Sequence, residues 1–97
     1  MRLKEQEKSA IIEAIHSEDS TADIYLFGSR LDDARKGGDI DLYVETDIRE
    51  KLLNHKARML RKIWEHIGVQ RIDIILKTRG APLNAIHHIA KKTGIRL

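Results

Sequence analysis

The segment Gly38-Asp39-Ile40-Asp41-Leu42-Tyr43-Val44-Glu45 alternates without a break. Ile40, Leu42 and Val44 face one way, and Asp39, Asp41 and Tyr43 the other, which predicts a half-buried β-strand from Asp39 to Glu45. Two residues apart on one face, the carboxylates of Asp39 and Asp41 lie about 7 Å apart along the strand. Aspartate is a poor strand former, and like charges on one face repel. A sequence that places them there needs a compensating positive charge. Taken alone, Asp-x-Asp fits a chance solvent-facing pair better than a site.

The flanking segments give the pair a context. Upstream, Ala22-Asp23-Ile24-Tyr25-Leu26-Phe27 is short, aromatic and β-branched, and Gly28 ends it, which predicts another strand. Ser29 to Gly38 is polar and charged and reads as a loop. Before these, Leu3 to about His16 carries Ala10, Ile11, Ala14 and Ile15 at helical spacing. Downstream, Asp47 with Glu50 has the spacing of a capping box opening a long helix. Ile48, Leu52, Met59, Leu60, Ile63, Trp64 and Ile67 form its apolar stripe, and Gly68 suits its end. Arg71 to Leu76 is a third strand, apolar except for Asp73, and Pro82 suits the first turn of a last helix reaching about Lys92. The expected fold is α/β (α+β): a small mixed sheet flanked by helices in the order α-β-β-α-β-α.

Asp73 shifts the weight of the argument. In the middle of Ile72-Asp73-Ile74-Ile75-Leu76, an unpaired carboxylate would be costly to bury. The helix between the second and third strands is long enough for a crossover that makes those strands parallel neighbours. Asp39, Asp41 and Asp73 then gather at one end of the sheet, where a hard divalent cation such as Mg²⁺ makes three carboxylates tolerable. Pairing of Asp73 with Arg71 or a helix lysine is the bland alternative. If the first two strands are antiparallel, Gly28 and Ser29 share that end, with backbone N–H groups and a hydroxyl suited to phosphate. Arg30, Arg35 and Lys36 in the loop add positive charge, although such loops are more often simply solvated.

Together, Leu26-Phe27-Gly28-Ser29-Arg30, Gly38-Asp39-Ile40-Asp41-Leu42 and Ile72-Asp73-Ile74 resemble the DNA polymerase β-like nucleotidyltransferase superfamily, and in particular its minimal nucleotidyltransferases of the antitoxin-like MntA type. The resemblance implies a nucleotidyltransferase fold and an enzyme that moves an NMP, AMP from ATP first among them, with release of pyrophosphate. It implies two Mg²⁺ ions held by Asp39, Asp41 and Asp73, these three being the catalytic residues. Gly28, Ser29 and Arg30 would bind the nucleotide. It further implies a small all-helical partner, either a HEPN-type toxin that receives the AMP or a substrate-binding subunit. The alternatives are a non-catalytic antitoxin-like binding subunit, or a nucleotidyltransferase for a small molecule such as an aminoglycoside with its pocket at a homo-oligomer interface.

Bulk properties are consistent with this. The chain has 97 residues, enough for one domain spanning 1–97, with 41% hydrophobic and 34% charged residues. No apolar run reaches the ~20 residues of a membrane span, no signal peptide is evident, and the absence of cysteine suits a reducing cytoplasm. The net charge of +3 allows anionic ligands, but aromatics at 4% leave little for stacking bases, so a dedicated nucleic-acid role is not expected. Asp32-Asp33 reads as a solvated loop pair, His87-His88 project about 100° apart on a helix, and His55 and His66 show no ligand spacing. The residues alone do not identify the acceptor, the base or the oligomeric state.

Overall fold

The strand that carries Asp41 runs through the middle of the sheet. A computed structural model describes residues 3–28 and 40–97 of the protein. In it β2 (Ile40–Thr46) pairs antiparallel with β1 (Asp23–Phe27) and parallel with β3 (Ile72–Thr78). A two-residue strand, β4 (Ile95–Arg96), adds to the far side of β1, so the four-stranded mixed sheet has the order β3-β2-β1-β4. The order α-β-β-α-β-α expected from the sequence is observed, with β4 added at its end.

Register divides the side chains into two faces. Ile24 lies opposite Val44, and Leu26, Leu42 and Ile74 form one row across three strands. This face meets α1 (Glu5–Glu18) and α2 (Leu52–Ile67), which pack against each other. Ile11 and Ile15 from α1, Met59 and Ile63 from α2, and Leu26, Ile40, Leu42 and Val44 from the sheet are all fully buried. Side chains of this size each stabilise the fold by about 1.5–3 kcal/mol when fully buried. The helices form where they do because their apolar residues recur every three to four positions and so present one stripe to the sheet.

The opposite face differs from the sequence expectation. Tyr43 was expected beside the aspartates on an open, half-buried face, yet it is fully buried. The reason is α3 (Ala85–Thr93), which lies over β1 and β2 on that side. Ala90 of α3 is fully buried, and the His87 ring stands 5.6 Å from the Tyr43 ring. The Tyr43 hydroxyl donates to Glu45 at 3.0 Å, and Lys91 of α3 donates to the same carboxylate at 3.2 Å. Burial, reinforced by that hydrogen bond, raises the Tyr43 phenol well above its ordinary value. At the end of α3 the chain passes so close to β1 that a Cβ on Gly94 would lie 3.0 Å from the Leu26 carbonyl and closer still to that of Ala90.

Two helix starts also differ. Helix α2 begins at Leu52 rather than at a cap on Asp47, with Lys51 ahead of it in the left-handed region at φ 54°. Asp47 is engaged elsewhere: its N–H donates to Asp19 at 2.9 Å, and its carboxylate pairs with Arg79 at 3.1 Å. Helix α3 begins after Asn84, whose side chain accepts from the His87 N–H while its own N–H donates to the His87 ring. Pro82 therefore precedes the helix instead of opening it, because Asn supplies the cap that proline cannot.

The end of α1 is tied to the rest of the molecule by two adjacent acids. Asp19 accepts from the Thr46 hydroxyl at 2.6 Å, from Thr21 and from the Asp47 N–H. Burial works to raise its pKa, but these bonds outweigh it and hold the carboxyl well below the usual range. Glu18 takes Arg58 at 2.8 Å, His55 at 2.8 Å and Lys62 at 2.9 Å, all from α2. Burial again opposes ionisation, and the bonds from Lys62, Arg58 and His55 overcome it, bringing the carboxyl from 4.5 to about 2.

A carboxyl depressed in the folded state stabilises above its unfolded pKa and loses that contribution as pH falls through the folded one. Glu18→Gln is expected to cost about 2 kcal/mol at neutral pH. Between pH 5 and pH 2, urea unfolding should show the wild type losing stability faster than the variant. Equal slopes in the two proteins would remove Glu18 from the acid response.

Candidate active site

The site is built from one row across the sheet. Phe27 of β1 lies opposite Asp41 of β2, and Asp41 lies opposite Asp73 of β3. Directly opposed residues in a sheet point to the same face, and neighbouring strands stand about 4.8 Å apart. Asp41 and Asp73 are therefore side by side at one end of the sheet. Like charges so placed destabilise a bare sheet.

Gly28 follows β1 immediately and sits against this pair. Its φ of +79° is a conformation that residues with a side chain rarely adopt. A Cβ there would lie 3.0 Å from the Asp41 Cγ and closer still to its Oδ2. Glycine thus serves two purposes at once: it turns the chain out of the strand, and it leaves the space that the Asp41 carboxylate fills.

Asp41 is half-buried and Asp73 is exposed. The sequence argument placed Asp73 in a buried strand, and the structure corrects this. β3 is an edge strand, and α3 lies over β1 and β2 instead, so among the described residues the Asp73 face of β3 stays open at this end. The apolar residues around it, Ile72 and Ile74, belong to the other face, where both are buried. The Asp73 side chain makes no hydrogen bond or ion pair among the described residues, so pairing with Arg71 or a helix lysine is not seen there.

Asp39, Ser29 and Arg30 lie outside the described residues, as do Asp32, Asp33, Arg35 and Lys36. Among the described residues no group of three His, Cys, Asp or Glu side chains able to hold a metal ion is found. What the described residues do provide is a pair of neighbouring carboxylates on an open sheet end, with Gly28 clearing space for one of them. Oxygen donors of that kind suit a hard divalent cation.

The histidines have other work. His55 binds Glu18, His66 contacts the Lys62 carbonyl at 2.9 Å, His16 contacts the Ala22 carbonyl at 3.0 Å, and His87 faces Tyr43 while His88 is exposed. A shallow depression of about 780 Å³ between the start of α1 and the end of α2, lined by Lys4, Ser9, Glu13, His66 and Gln70, includes neither Asp41 nor Asp73. The candidate site is thus picked out by its carboxylates and not by a concavity. Phe27, half-buried in the same row, was not singled out from the sequence as a site residue; only the register shows that it shares the carboxylates' face.

If Gly28 makes room for Asp41, the two positions are energetically coupled. Gly28→Ala should destabilise by about 2 kcal/mol or more, from the left-handed backbone and the collision together. An Asp41→Ala background removes the collision with the carboxyl group, leaving the backbone part, about 1–2 kcal/mol, and a tight 3.2 Å approach to the remaining Cβ. A double-mutant cycle by urea denaturation measures the difference, and strict additivity would contradict the contact.

No curated protein sequence matches the chain. The family described as Nucleotidyltransferase domain does match, over residues 8–93, a span that contains β1, Gly28, β2, β3 and the row joining Asp41 to Asp73. The chain therefore belongs to the nucleotidyltransferase domain family.

Proposed function

We propose that the protein transfers a nucleoside monophosphate from an NTP, with AMP from ATP the first candidate, to a hydroxyl on a protein acceptor. The observation that carries this reading is the row that sets Asp41 beside Asp73, with Gly28 against Asp41. Family membership supplies nucleotidyl transfer in general, and this row supplies the side chains for it.

Asp41 and Asp73, with Asp39, would hold Mg²⁺, and that ion when bound neutralises triphosphate charge and polarises the α-phosphate. The remaining roles fall to the chain itself. Gly28 lets the backbone come close to the phosphates, and Ser29 and Arg30 would add a hydroxyl and a cation to hold them. Asp41 is half-buried between β1 and β3 and would serve the nucleotide side. Asp73, exposed on the edge strand, sits where an acceptor can reach it and would take the proton of the attacking hydroxyl. The acceptor oxygen then bonds to the α-phosphorus, the bond from that phosphorus to the bridging oxygen breaks, and pyrophosphate leaves.

For the acceptor, a small helical partner protein is our first candidate, on the strength of the resemblance to minimal nucleotidyltransferases. An antitoxin-like subunit acting by contact alone is the second reading, favoured by the exposed apolar residues Leu83, Ile86 and Ile89 on and before α3.

The deciding experiment incubates the protein with labelled ATP, Mg²⁺ and its co-purifying partner and reads the intact mass of both chains. We expect one or more AMP units on the partner, with the rate reduced at least about 10²-fold in Asp41→Asn and in Asp73→Asn. A stable complex that never gains mass, and that neutralises its partner equally well in both variants, would overturn catalysis in favour of contact.

A further inference from the structure

Among the described residues, helix α3 has a flank that the fold leaves partly exposed. His87 turns down onto Tyr43, Ala90 is buried against the sheet, and Lys91 reaches Glu45. At 100° per residue, Ile86 and Ile89 then lie on the flank opposite Lys91. They are 41% and 54% exposed, and Leu83 just before the helix is 41% exposed.

The orientation of α3 tells which way that flank faces. His87 stands over β2, whereas Gly94, at the other end of α3, packs against Leu26 and Tyr25 of β1. The helix therefore crosses the strands, and its flanks look along them. Lys91 points toward Glu45, four residues along β2 from Asp41. The Ile86 and Ile89 flank looks the other way, toward the end of the sheet that carries Asp41 and Asp73.

We infer that this flank is the docking surface for the acceptor, and that the acceptor presents to it an apolar helical ridge with carboxylates along its outer border. The inference rests on the reading that the acceptor is a protein. Three aliphatic side chains at spacings of three residues match the way one helix receives another. A helix flank is convex, whereas a small molecule needs a concavity to bury most of its surface. Charge selects one border of the partner: exposed His88 and Lys92 lie beside Ile89 on the side of α3 away from the sheet and favour carboxylates there, whereas the border toward Asp41 and Asp73 does not. Area argues against a permanent dimer of this chain through the same patch. Three partly exposed side chains fall well short of the ~800 Å² per partner that a stable interface buries, but they suit the small contact of a transient enzyme–substrate encounter. Continuity with the carboxylate row would bring the docked acceptor next to Asp73.

The test uses a synthetic amphipathic helix with leucines on one face and glutamates along one border, and a counterpart with lysines in place of the glutamates. Methyl NMR of the intact protein should show Ile86 and Ile89 shifting with the acidic peptide, and binding at least about tenfold weaker with the lysine peptide. Ile86→Glu combined with Ile89→Glu should abolish the shifts of the remaining α3 signals. The milder Ile86→Ala with Ile89→Ala should weaken binding while the amide spectrum of the sheet is unchanged. Equal binding of both peptides, tighter binding of single-stranded RNA than of the acidic peptide, or self-association through these isoleucines in sedimentation equilibrium would each overturn the proposal. Binding is read without turnover, so it can fail while NMP transfer stands, and transfer can fail while binding stands.

Discussion

The juxtaposition of Asp41 with Asp73 and Gly28 depends on the hydrogen-bond register of β2. It is the one strand with its antiparallel neighbour on one side and its parallel neighbour on the other, and both ladders must close in step for Phe27, Asp41 and Asp73 to share a row. Burial on the opposite face enforces that register. Leu26, Leu42 and Ile74 occupy the adjacent row under α1 and α2, and a shift by one residue would turn them out of the core. The hydrophobic effect thus does the work of placing two like charges together. No attraction between the carboxylates is needed to bring them there; the core on the other side of the sheet carries the cost.

The other end of the sheet is organised by charge and hydrogen bonding, and it is closed. Glu18 joins α1 to α2, and Asp19, one residue on, joins the same helix end to Thr46 and Asp47 at the end of β2. Arg79, after β3, pairs with Asp47 and with Asp23 at the start of β1. Acids here are matched by donors, so their pKa values fall and the segments around them are fixed. At the Asp73 end the matching is incomplete among the described residues. Along a single axis the sheet thus carries matched carboxylates at one end and an exposed one at the other.

Much of this was legible in the sequence. Unbroken alternation around Ile40, Leu42 and Val44, and the apolar spacing in α1 and α2, are periodic signals that survive tertiary context, and the elements formed there with ends moved by only a few residues. Asp41 and Asp73 were legible because charged residues in apolar strands call for a reason. Other features were not. Whether Asp73 was buried depended on which strand lay at the edge and which strands α3 covered, and both are set by chain segments far from it. Tyr43 looked exposed because alternation reports faces but not what packs on them. The start of α2 was misplaced because Asp47 had two possible partners, its own helix and Asp19, and only the folded chain brings the second within reach. β4 is two residues long, too short to show a period. Asp39, Ser29 and Arg30 lie outside the described residues and are judged from the motif alone.

The parallel pairing of β2 with β3 also sets where this chain can change length. Asp41 and Asp73 are separated by a stretch of loop, helix and loop that can absorb an added or lost residue at 47–51 or 68–71 without moving either carboxylate. A single inserted residue inside β2 or β3 ahead of the aspartate would instead carry it through the sheet, exchanging a carboxylate for a core side chain. Descendants of this chain are therefore free to vary the connections that build the site and are held to fixed length in the strands that present it. Gaps in a future alignment of relatives should fall accordingly.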